Sequence, residues 1–362
     1  MKALFVGDVS PTLDNAALFA AGEIRTLFGD VLSLFEGNDV NMLNLECALT
    51  DATCDIAKIG PALKAPVSTA EALRAVGVTH CGLSNNHFFD YGKAGALDSL
   101  AALDAAGIGY TGFGQDLADS KRDLVIEREG ERLCVIAVCE HEYSYALEDR
   151  MGARPFDPFE TPLEIRAAKG KSDRVVVLYH GGKEQCRYPS PRLRAACHAM
   201  AKSGADLILC QHSHCIGCYE QLEGCHILYG QGNFHFTKLA YNEMPGWNEC
   251  FAVRYGSKEN TVEFIPVVAD GRCIRLANGE RRAQILADFA ARNAKLQDGS
   301  WREEWHAFCE SVREQYTRAA YKACVPEFGE SAMQKFAHYL DCEAHTDVWK
   351  ELFQTYNQSN EK

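Results

Sequence analysis

The sequence contains no long hydrophobic run. No stretch approaches the roughly 20 apolar residues that a membrane-spanning helix needs. The apolar run near the N-terminus covers only residues 3–6, well short of the roughly 7–15 residues of a signal-peptide core. We therefore expect no membrane span and, by default, a cytoplasmic location.

Positive charge is also in short supply. The 37 lysines and arginines are outnumbered by 50 aspartates and glutamates, which gives a net charge of −13. This balance excludes nonspecific binding to nucleic acid or to anionic lipid, because both depend on basic surfaces. An anionic small-molecule or polymer substrate remains compatible with it, since bound metal ions dominate the field inside their own site.

The sequence has 16 cysteines but lacks the cysteine framework of a small secreted protein. They are scattered along 362 residues, and we expect most to be reduced thiols. Cys215 and Cys218 have the C-x-x-C spacing of a zinc or redox pair, but no second such pair completes a four-cysteine site. Small buried thiols are the favoured interpretation, and a thiol switch in the loop from Cys210 to Cys225 is the alternative.

Strand-like and helical segments alternate up to about residue 270. Ser68, with Glu71 three residues later, predicts a capping box at the start of a helix that runs to Val76. The alternation predicts an α/β protein with two mixed β-sheets flanked by helices. Apolar, β-branched runs predict strands at 3–6, 41–45, 78–83, 133–138, 174–179 and 206–210, and a hairpin at 250–255 and 261–268.

The character of the sequence changes after about residue 278. Three charged, amphipathic segments predict helices at 280–294, 301–323 and 331–357. We therefore divide the chain into a layered domain, residues 1–275, and a helical C-terminal extension, residues 276–362. Such helices suit a lid or a surface through which the protein forms a homo-oligomer.

Polar clusters follow five of the predicted strands at the points where these end. In layered α/β proteins, ligands collect beyond the carboxyl ends of the strands, so the five clusters can meet in space. Their carboxylate, amide and imidazole groups suit two divalent metal ions, such as manganese, iron, zinc or magnesium, better than a structural zinc or a calcium ion. The candidate metal ligands are Asp8, Glu46, Asn86, His180, His212 and His214.

Each candidate also has an interpretation without metal. Asp8 can close a strand-to-loop turn, and Asn86 can be a turn former. Glu46 ends an apolar strand and needs a partner, which an arginine can provide as well as a metal. His212 and His214 alternate along what we expect to be an extended segment, so their side chains would share one face.

Seven segments carry a resemblance to a known family: Val6-Gly7-Asp8, Asn44-Leu45-Glu46, residues 84–92, residues 180–184, Gly204-Ala205-Asp206, His212-Ser213-His214 and Gly232-Asn233-Phe234. In their order and rough spacing, they resemble the CapA family of poly-γ-glutamate capsule biosynthesis proteins, a branch of the calcineurin-like metallophosphoesterase superfamily. The resemblance covers about residues 2–268. It implies a layered metallophosphoesterase-like fold and a metal-dependent hydrolase of phosphoesters, linked to capsule or cell-surface polymer biosynthesis.

The resemblance also implies a division of the ligands between two metal ions. Glu46 would bridge the two ions, which together can activate water and stabilise the displacement of a phosphoryl group. One coordination shell would be completed by Asp8 and His214, the other by Asn86, His180 and His212.

Four further residues are candidates for catalysis or for substrate binding. The resemblance implies that His87 is the general acid or charge stabiliser, with Asp90 as the partner that orients it. Arg187 follows the His180 motif and can hold an anionic substrate group through a forked contact. Asn233 is placed on the substrate side of the site, where its amide would tie a loop.

Two departures from the family pattern bear on function. The superfamily usually has Asp-x-His in its first motif, whereas this chain has Ser10 in place of the histidine. The family commonly has tryptophan directly after the histidine that corresponds to His180, where this chain has Gly181. The alternative function is therefore a non-catalytic, metal-containing accessory protein that binds a capsule polymer or its synthase.

Overall fold

The computed structural model describes residues 1–140, 142–241 and 243–353. Along the chain the strands are β1 (Lys2–Val9), β2 (Val40–Leu45), β3 (Ala48–Leu49), β4 (Lys64–Ala65), β5 (His80–Gly82), β6 (Gly109–Thr111), β7 (Phe113–Gly114), β8 (Leu124–Arg128), β9 (Glu131–Cys139), β10 (Gly152–Ala153), β11 (Arg174–His180), β12 (Leu207–Gln211), β13 (Tyr219–Leu222), β14 (Cys225–Leu228), β15 (Asn233–His235), β16 (Glu249–Gly256), β17 (Thr261–Asp270) and β18 (Cys273–Leu276).

The helices flank these strands and continue beyond the last of them. They are α1 (Ala16–Ala20), α2 (Ile24–Phe28), α3 (Thr69–Val76), α4 (Gly92–Ala106), α5 (Leu117–Ser120), α6 (Glu160–Lys169), α7 (Pro191–Lys202), α8 (Gly279–Asp298), α9 (Trp301–Ala323), α10 (Gly329–Asp341) and α11 (Glu343–Phe353). Short 3-10 segments lie at Gly29–Phe35, Glu142–Ser144, Leu239–Tyr241 and Pro326–Phe328.

Two large mixed sheets form the centre of the fold. The first has the order β18-β17-β16-β1-β2-β5-β6, with β15 paired beside β1, and the second has the order β13-β14-β12-β11-β9-β8. Parallel strands occupy the middle of each sheet, β1, β2 and β5 in the first and β9, β11, β12 and β14 in the second. The predicted α/β fold, with two mixed sheets, flanking helices and a helical C-terminal region, is confirmed.

The main apolar core between the sheets comes from strands that are hydrophobic on both faces. In β11, for example, Val175, Val176 and Val177 are all fully buried. Parallel strands covered on both faces read as continuous apolar runs and not as an alternating pattern. The apolar runs at 174–179 and 206–210 therefore predicted β11 and β12 correctly. The carboxyl ends of these two strands lie side by side.

The start of helix α3 differs from the prediction. The backbone of Ser68 is helical, with φ −62° and ψ −9°, and its side chain makes no capping hydrogen bond. A capping side chain requires an extended backbone at that position, so the predicted capping box with Glu71 is wrong. Ser190 shows the contrast, because it is extended and its hydroxyl accepts a hydrogen bond from the backbone N–H of Leu193 at 3.0 Å.

Up to residue 353, where the description ends, the C-terminal region contains four helices, whereas three were predicted. The predicted helix at 331–357 is broken at Cys342, whose ψ of 123° is extended, and residues 354–357 lie outside the described residues. Trp301, Trp305 and Tyr316 of α9 are buried in the same apolar cluster as Val177 of β11. The division of the chain at residue 275 stays a prediction. In the described part of the chain, no helix combines the length and the apolar character needed to cross a membrane.

Candidate metal centre

The ends of β1, β2, β11 and β12 bring the buried side chains of the predicted metal ligands together. Among the described residues, potential ligands form two groups whose atoms lie within 4.8 Å of one another. The first group is Glu46, His212 and His214, and the second is Asp8, Glu46 and His180. Glu46 is the member that the two groups share, and neither group contains a cysteine.

Glu46 has the environment of a metal ligand. Its carboxylate is fully buried, and neither oxygen accepts a hydrogen bond. Nε2 of His180 lies 3.4 Å from its Oε1, and burial raises the pKa of Glu46. A buried carboxylate without donors is costly, so cations at this position would remove an existing penalty. The donor set therefore fits divalent metal ions.

Asp8 lies at the end of β1, next to the strand that carries Glu46. Its Oδ1 accepts a hydrogen bond from Nδ2 of Asn44 at 2.8 Å, and its Oδ2 accepts one from the backbone N–H of His212 at 3.1 Å. Burial, followed by the charge of Glu46, raises the pKa of Asp8 to about 6. The Nδ1 atoms of His180 and His214 both lie 3.9 Å from this carboxylate, so either histidine can share a metal ion with it.

A close backbone approach at the end of β1 requires glycine. A Cβ atom on Gly7 would lie 2.1 Å from the carbonyl oxygen of Gly232, on the neighbouring β15 segment. The pairing of β1 with β2 also shifts register between Phe5 and Asp8. These two features set the position of Asp8 relative to Asn233, its partner on β15.

His180 and Asn86 are in direct contact. Nε2 of His180 lies 2.8 Å from Oδ1 of Asn86, and its Nδ1 lies 3.1 Å from Nδ2 of Asn44. Burial lowers the pKa of His180 to about 4. The ring is therefore neutral near pH 7, which is the form that binds metal.

His212 and His214 do not lie on an extended segment, and that prediction is wrong. Strand β12 ends at Gln211, and His212 and His214 have φ values of +79° and +55°. Such left-handed conformations are uncommon for non-glycine residues and cluster at functional sites. The rings nevertheless converge, with centroids 4.9 Å apart for His180 and His212 and 5.8 Å apart for His212 and His214.

Asn233 orients His214. Its Oδ1 lies 2.9 Å from Nδ1 of His214, and its Nδ2 donates to the carbonyl of Trp247 at 3.1 Å. The ring of His214 also packs against Trp247, with centroids 4.8 Å apart. Burial lowers the pKa of His214, but Glu46 and the other nearby carboxylates outweigh it, so the pKa is raised. Asn233 thus ties a loop at the metal centre, and its role toward substrate stays a prediction.

His87 forms a buried cluster with Asp90 and with Lys58, which the sequence analysis missed. Nδ1 of His87 lies 2.7 Å from Oδ2 of Asp90 and 3.1 Å from Nζ of Lys58. Lys58 also donates to Oδ1 of Asp90 and, at 3.2 Å, to the carbonyl of Asn86. Burial, and then the charge of Lys58, lowers the pKa of His87. In the sequence, Lys58 is one lysine in a loop with glycine and proline, and no strand end marks it.

Asn85 holds the turn that carries Asn86 and His87. Its Nδ2 donates to Oδ1 of Asn44 at 3.0 Å and to the carbonyl of Leu45 at 2.9 Å. Its Oδ1 accepts from the backbone N–H groups of His87 at 3.0 Å and Phe88 at 2.8 Å. Asn85 is therefore a turn former, whereas the side chain of Asn86 points to His180.

Arg187 belongs to neither group of potential ligands. Its guanidinium lies against Gly246, where a Cβ atom would be 2.6 Å from Nη2. Its predicted contact with substrate stays a prediction. All 16 cysteines lie in the described part of the chain and are free thiols. Burial raises the pKa of Cys215 and of Cys218, which opposes the thiolate form that a redox switch needs.

Comparisons with known proteins agree with this arrangement of motifs. Residues 2–238 match the model of the family described as bacterial capsule synthesis protein PGA_cap. Capsule biosynthesis protein CapA of Bacillus anthracis is 30% identical over 215 residues, which cover 57% of this chain and 51% of that protein. PGA biosynthesis protein CapA of Bacillus subtilis is 27% identical over 267 residues, which cover 72% and 68%.

The chain thus spans about half the length of the B. anthracis relative. Among solved structures, a 5'-nucleotidase precursor from Thermus thermophilus aligns with a TM-score of 0.43 and 12% identity, over 80% of this chain and 59% of that one. The family match covers well over half of the residues and includes every predicted metal ligand. The chain belongs to the bacterial capsule synthesis protein PGA_cap family.

Proposed function

We propose that the protein is a metal-dependent hydrolase of phosphoesters that uses two divalent metal ions. The observation that carries this proposal is the carboxylate of Glu46, which is buried, accepts no hydrogen bond and belongs to both groups of potential ligands. When bound, such a pair of ions supplies Lewis acidity to a phosphoryl group and lowers the pKa of water. The residues that would hold the ions are Asp8, Glu46, Asn86, His180, His212 and His214.

His87 is the residue that we assign to proton transfer. Its Nδ1 contacts Asp90 and Lys58, which leaves Nε2 as the ring atom that can pass a proton to or from a reacting oxygen. Asp90 also accepts a hydrogen bond from the backbone N–H of Leu63 at 2.7 Å. The carboxylate of Asp90 is therefore itself fixed and holds the ring of His87 in one orientation, which suits a positioned general acid or base.

The relatives support a place for this hydrolysis in the synthesis of a capsule polymer. Their names are capsule biosynthesis protein CapA and PGA biosynthesis protein CapA. We propose an anionic phosphoester or polymer as the substrate. Although the whole protein has a net charge of −13, bound cations would be the largest charges inside the site and would attract an anion.

A second candidate is a metal-containing accessory protein that binds the polymer or its synthase. Ser10, which is buried beside the site, stands where the superfamily usually has a histidine, so one metal ion would have one imidazole ligand fewer than that pattern provides. Two Mycobacterium tuberculosis relatives, 29% identical over 225 residues, are called probable polyglutamine synthesis accessory proteins.

Metal content tests the centre that both candidates require. We expect about two equivalents of transition metal per chain by elemental analysis after reconstitution with manganese, iron or zinc. Glu46→Gln and His212→Ala should each lose metal, whereas His198→Ala should retain it, because His198 pairs with Glu220 away from the site. A protein that binds no metal under these conditions contradicts the proposal.

Hydrolysis of a generic aryl phosphate then separates the enzyme from the accessory protein. The enzyme predicts activity that falls by roughly 10²- to 10⁴-fold in His87→Ala, the usual range for losing a general acid or base, with metal content unchanged. A parent protein that holds two metal ions and hydrolyses no phosphoester under any tested condition favours the accessory protein.

A further inference from the structure

Glu140 makes two hydrogen bonds with the backbone around the loop that follows His180. It lies directly after β9 and is fully buried. Its backbone N–H donates to the carbonyl of His180 at 3.1 Å, and its Oε2 accepts from the backbone N–H of Gly182 at 2.8 Å. One residue therefore fixes the backbone on both sides of Gly181, immediately after a candidate metal ligand.

The same contact explains the glycine at position 181. A Cβ atom on Gly181 would lie 2.4 Å from Oε2 of Glu140. No side chain fits there while the carboxylate of Glu140 is in place. The tryptophan that is common at this position in the family is thus incompatible with Glu140 as it lies here.

The charge of Glu140 is compensated through Arg192 of α7. Nη1 of Arg192 lies 2.6 Å from Oε1 of Glu140, which also accepts a hydrogen bond from the hydroxyl of Tyr179. The same guanidinium also contacts the tail, by which we mean helices α8 to α11. Its Nε lies 2.9 and 3.0 Å from the two carboxylate oxygens of Asp347 on α11. Ser190 donates to the same carboxylate at 2.5 Å.

The two carboxylates that contact Arg192 are both buried. The side chains of Glu140 and Asp347 are 0% and 4% exposed. Removing the carboxylate of Asp347 takes both of these contacts from Nε of Arg192, so the guanidinium is no longer held in the orientation in which it meets Glu140. A second contact joins the tail to the same residue, because Sγ of Cys342 lies 3.7 Å from the carbonyl of Glu140.

We propose that Asp347 is a positioning residue of the metal centre. Through Arg192 and Glu140, it holds the loop so that His180 faces Asp8 and Glu46. The C-terminal helices would then be part of the metal site, in addition to any role as a lid or in forming oligomers. This inference rests on the proposed binding of metal at Glu46 and not on the proposed hydrolysis.

Isothermal titration calorimetry of the metal-free protein with Mn²⁺ or Zn²⁺, which measures the affinity for each ion, tests this inference. Asp347→Asn should weaken binding of one of the two ions by up to about 10-fold, the lower end of the loss for a partner that orients a metal ligand, because Asp347 acts on His180 only through Arg192 and Glu140. The matched control is Glu351→Gln on the same helix. Glu351 contacts Trp305 at 3.2 Å and His306 at 2.9 Å, both within the tail, so its loss should leave both affinities unchanged.

The absorption spectrum of the Co²⁺-loaded protein distinguishes positioning from mere loss of stability. Asp347→Asn should shift the Co²⁺ bands, whereas Glu351→Gln should not, and Asp347→Glu should restore most of the parent spectrum. Arg192→Lys retains the charge but not the fork that reaches both carboxylates. It should show the same shift, and it decides the question if Asp347→Asn does not fold.

The two possible failures are distinct. If the parent binds two ions while Asp347→Asn and Arg192→Lys leave both affinities and the Co²⁺ spectrum unchanged, the role of Asp347 is overturned and the metal centre stands. If the parent binds neither Mn²⁺, Zn²⁺ nor Co²⁺, the proposed metal centre itself is overturned, and the inference falls with it.

Discussion

Lys58 is a lysine buried among the groups that would do the chemistry. Its side chain is only 4% exposed, and lysine is almost never buried without a partner. Its partners are Asp90, His87 and the carbonyl of Asn86. One ammonium group therefore contacts the acid that orients His87, His87 itself and the backbone of a candidate ligand.

We expect Lys58→Met to lower kcat by roughly 10-fold or more while two metal ions remain bound, because the loss of an orienting partner typically costs 10- to 100-fold. Lys58→Arg, which keeps the charge, should retain more activity. The measurement is kcat and KM for an aryl phosphate, together with metal content. Lys64→Met is the matched control, since Lys64 is an exposed lysine whose Nζ contacts the carbonyl of Ala52. Equal kcat values for the Lys58 and Lys64 variants would remove Lys58 from the mechanism.

At the scale of elements, the turn between β5 and α4 presents both Asn86 and His87, and Asn85 holds it. The side chain of Asn85 makes hydrogen bonds to four different groups and is fully buried. Its loss would leave buried backbone N–H groups without acceptors, which is more costly than losing the bonds alone.

Asn85→Ala should therefore lower the free energy of unfolding by about 2 to 4 kcal/mol and also weaken metal binding. Asn41→Ala separates the two effects. Asn41 lies on β2 with Asn44, is equally tied to backbone through the carbonyls of Phe35 and Gly77, and makes those contacts away from the metal ligands. Denaturant unfolding and metal titration of both variants check this. Metal affinities that fall equally in the two variants would mean that Asn85 acts only on stability.

The sequence predicted where the elements end better than how the chain turns there. Apolar runs identify buried strands, and the polar residues at their carboxyl ends identify the region between the two sheets at which Asp8, Glu46 and His180 meet. The left-handed backbone of His212 and His214 could not be predicted, because it depends on contacts with other loops and not on local preference. Lys58 was missed for a similar reason, since its partners are about 30 residues away in the sequence.

At the scale of the whole molecule, the tail and the second sheet share one apolar cluster. Amphipathic spacing predicted that the tail helices bury one face, but not the surface against which they do so. Trp301 and Trp305 belong to the same apolar cluster as residues of β11 and β12, the strands at whose carboxyl ends His180, His212 and His214 lie. Asp347 adds a charged contact to this interface. The predicted role of the tail in forming a homo-oligomer stays a prediction.

The metal-free molecule should be destabilised by its buried acids in a way that depends on pH. The pKa of Asp8 is raised from 3.8 to about 6 in the folded protein. Between these values the folded state therefore binds more protons than the unfolded state, and the contribution of Asp8 to stability falls as pH rises. At about 1.4 kcal/mol per pKa unit, this amounts to about 3 kcal/mol, fully developed above pH 6.

Asp8→Asn removes this titration, so we expect its free energy of unfolding relative to the parent to rise by about 2 kcal/mol between pH 4 and pH 7 in chelator-treated protein. The pKa of His180, which burial lowers and the charge of Asp8 raises, acts in the opposite direction. Metal ions reverse the order, because they bind the ionised carboxylate and stabilise the parent more as pH rises. Urea unfolding of both proteins, with and without Mn²⁺, measures the effect. A difference between parent and variant that stays constant from pH 4 to pH 7 would show that Asp8 does not carry this charge penalty, and that the site is not poised for a cation in the way the fold indicates.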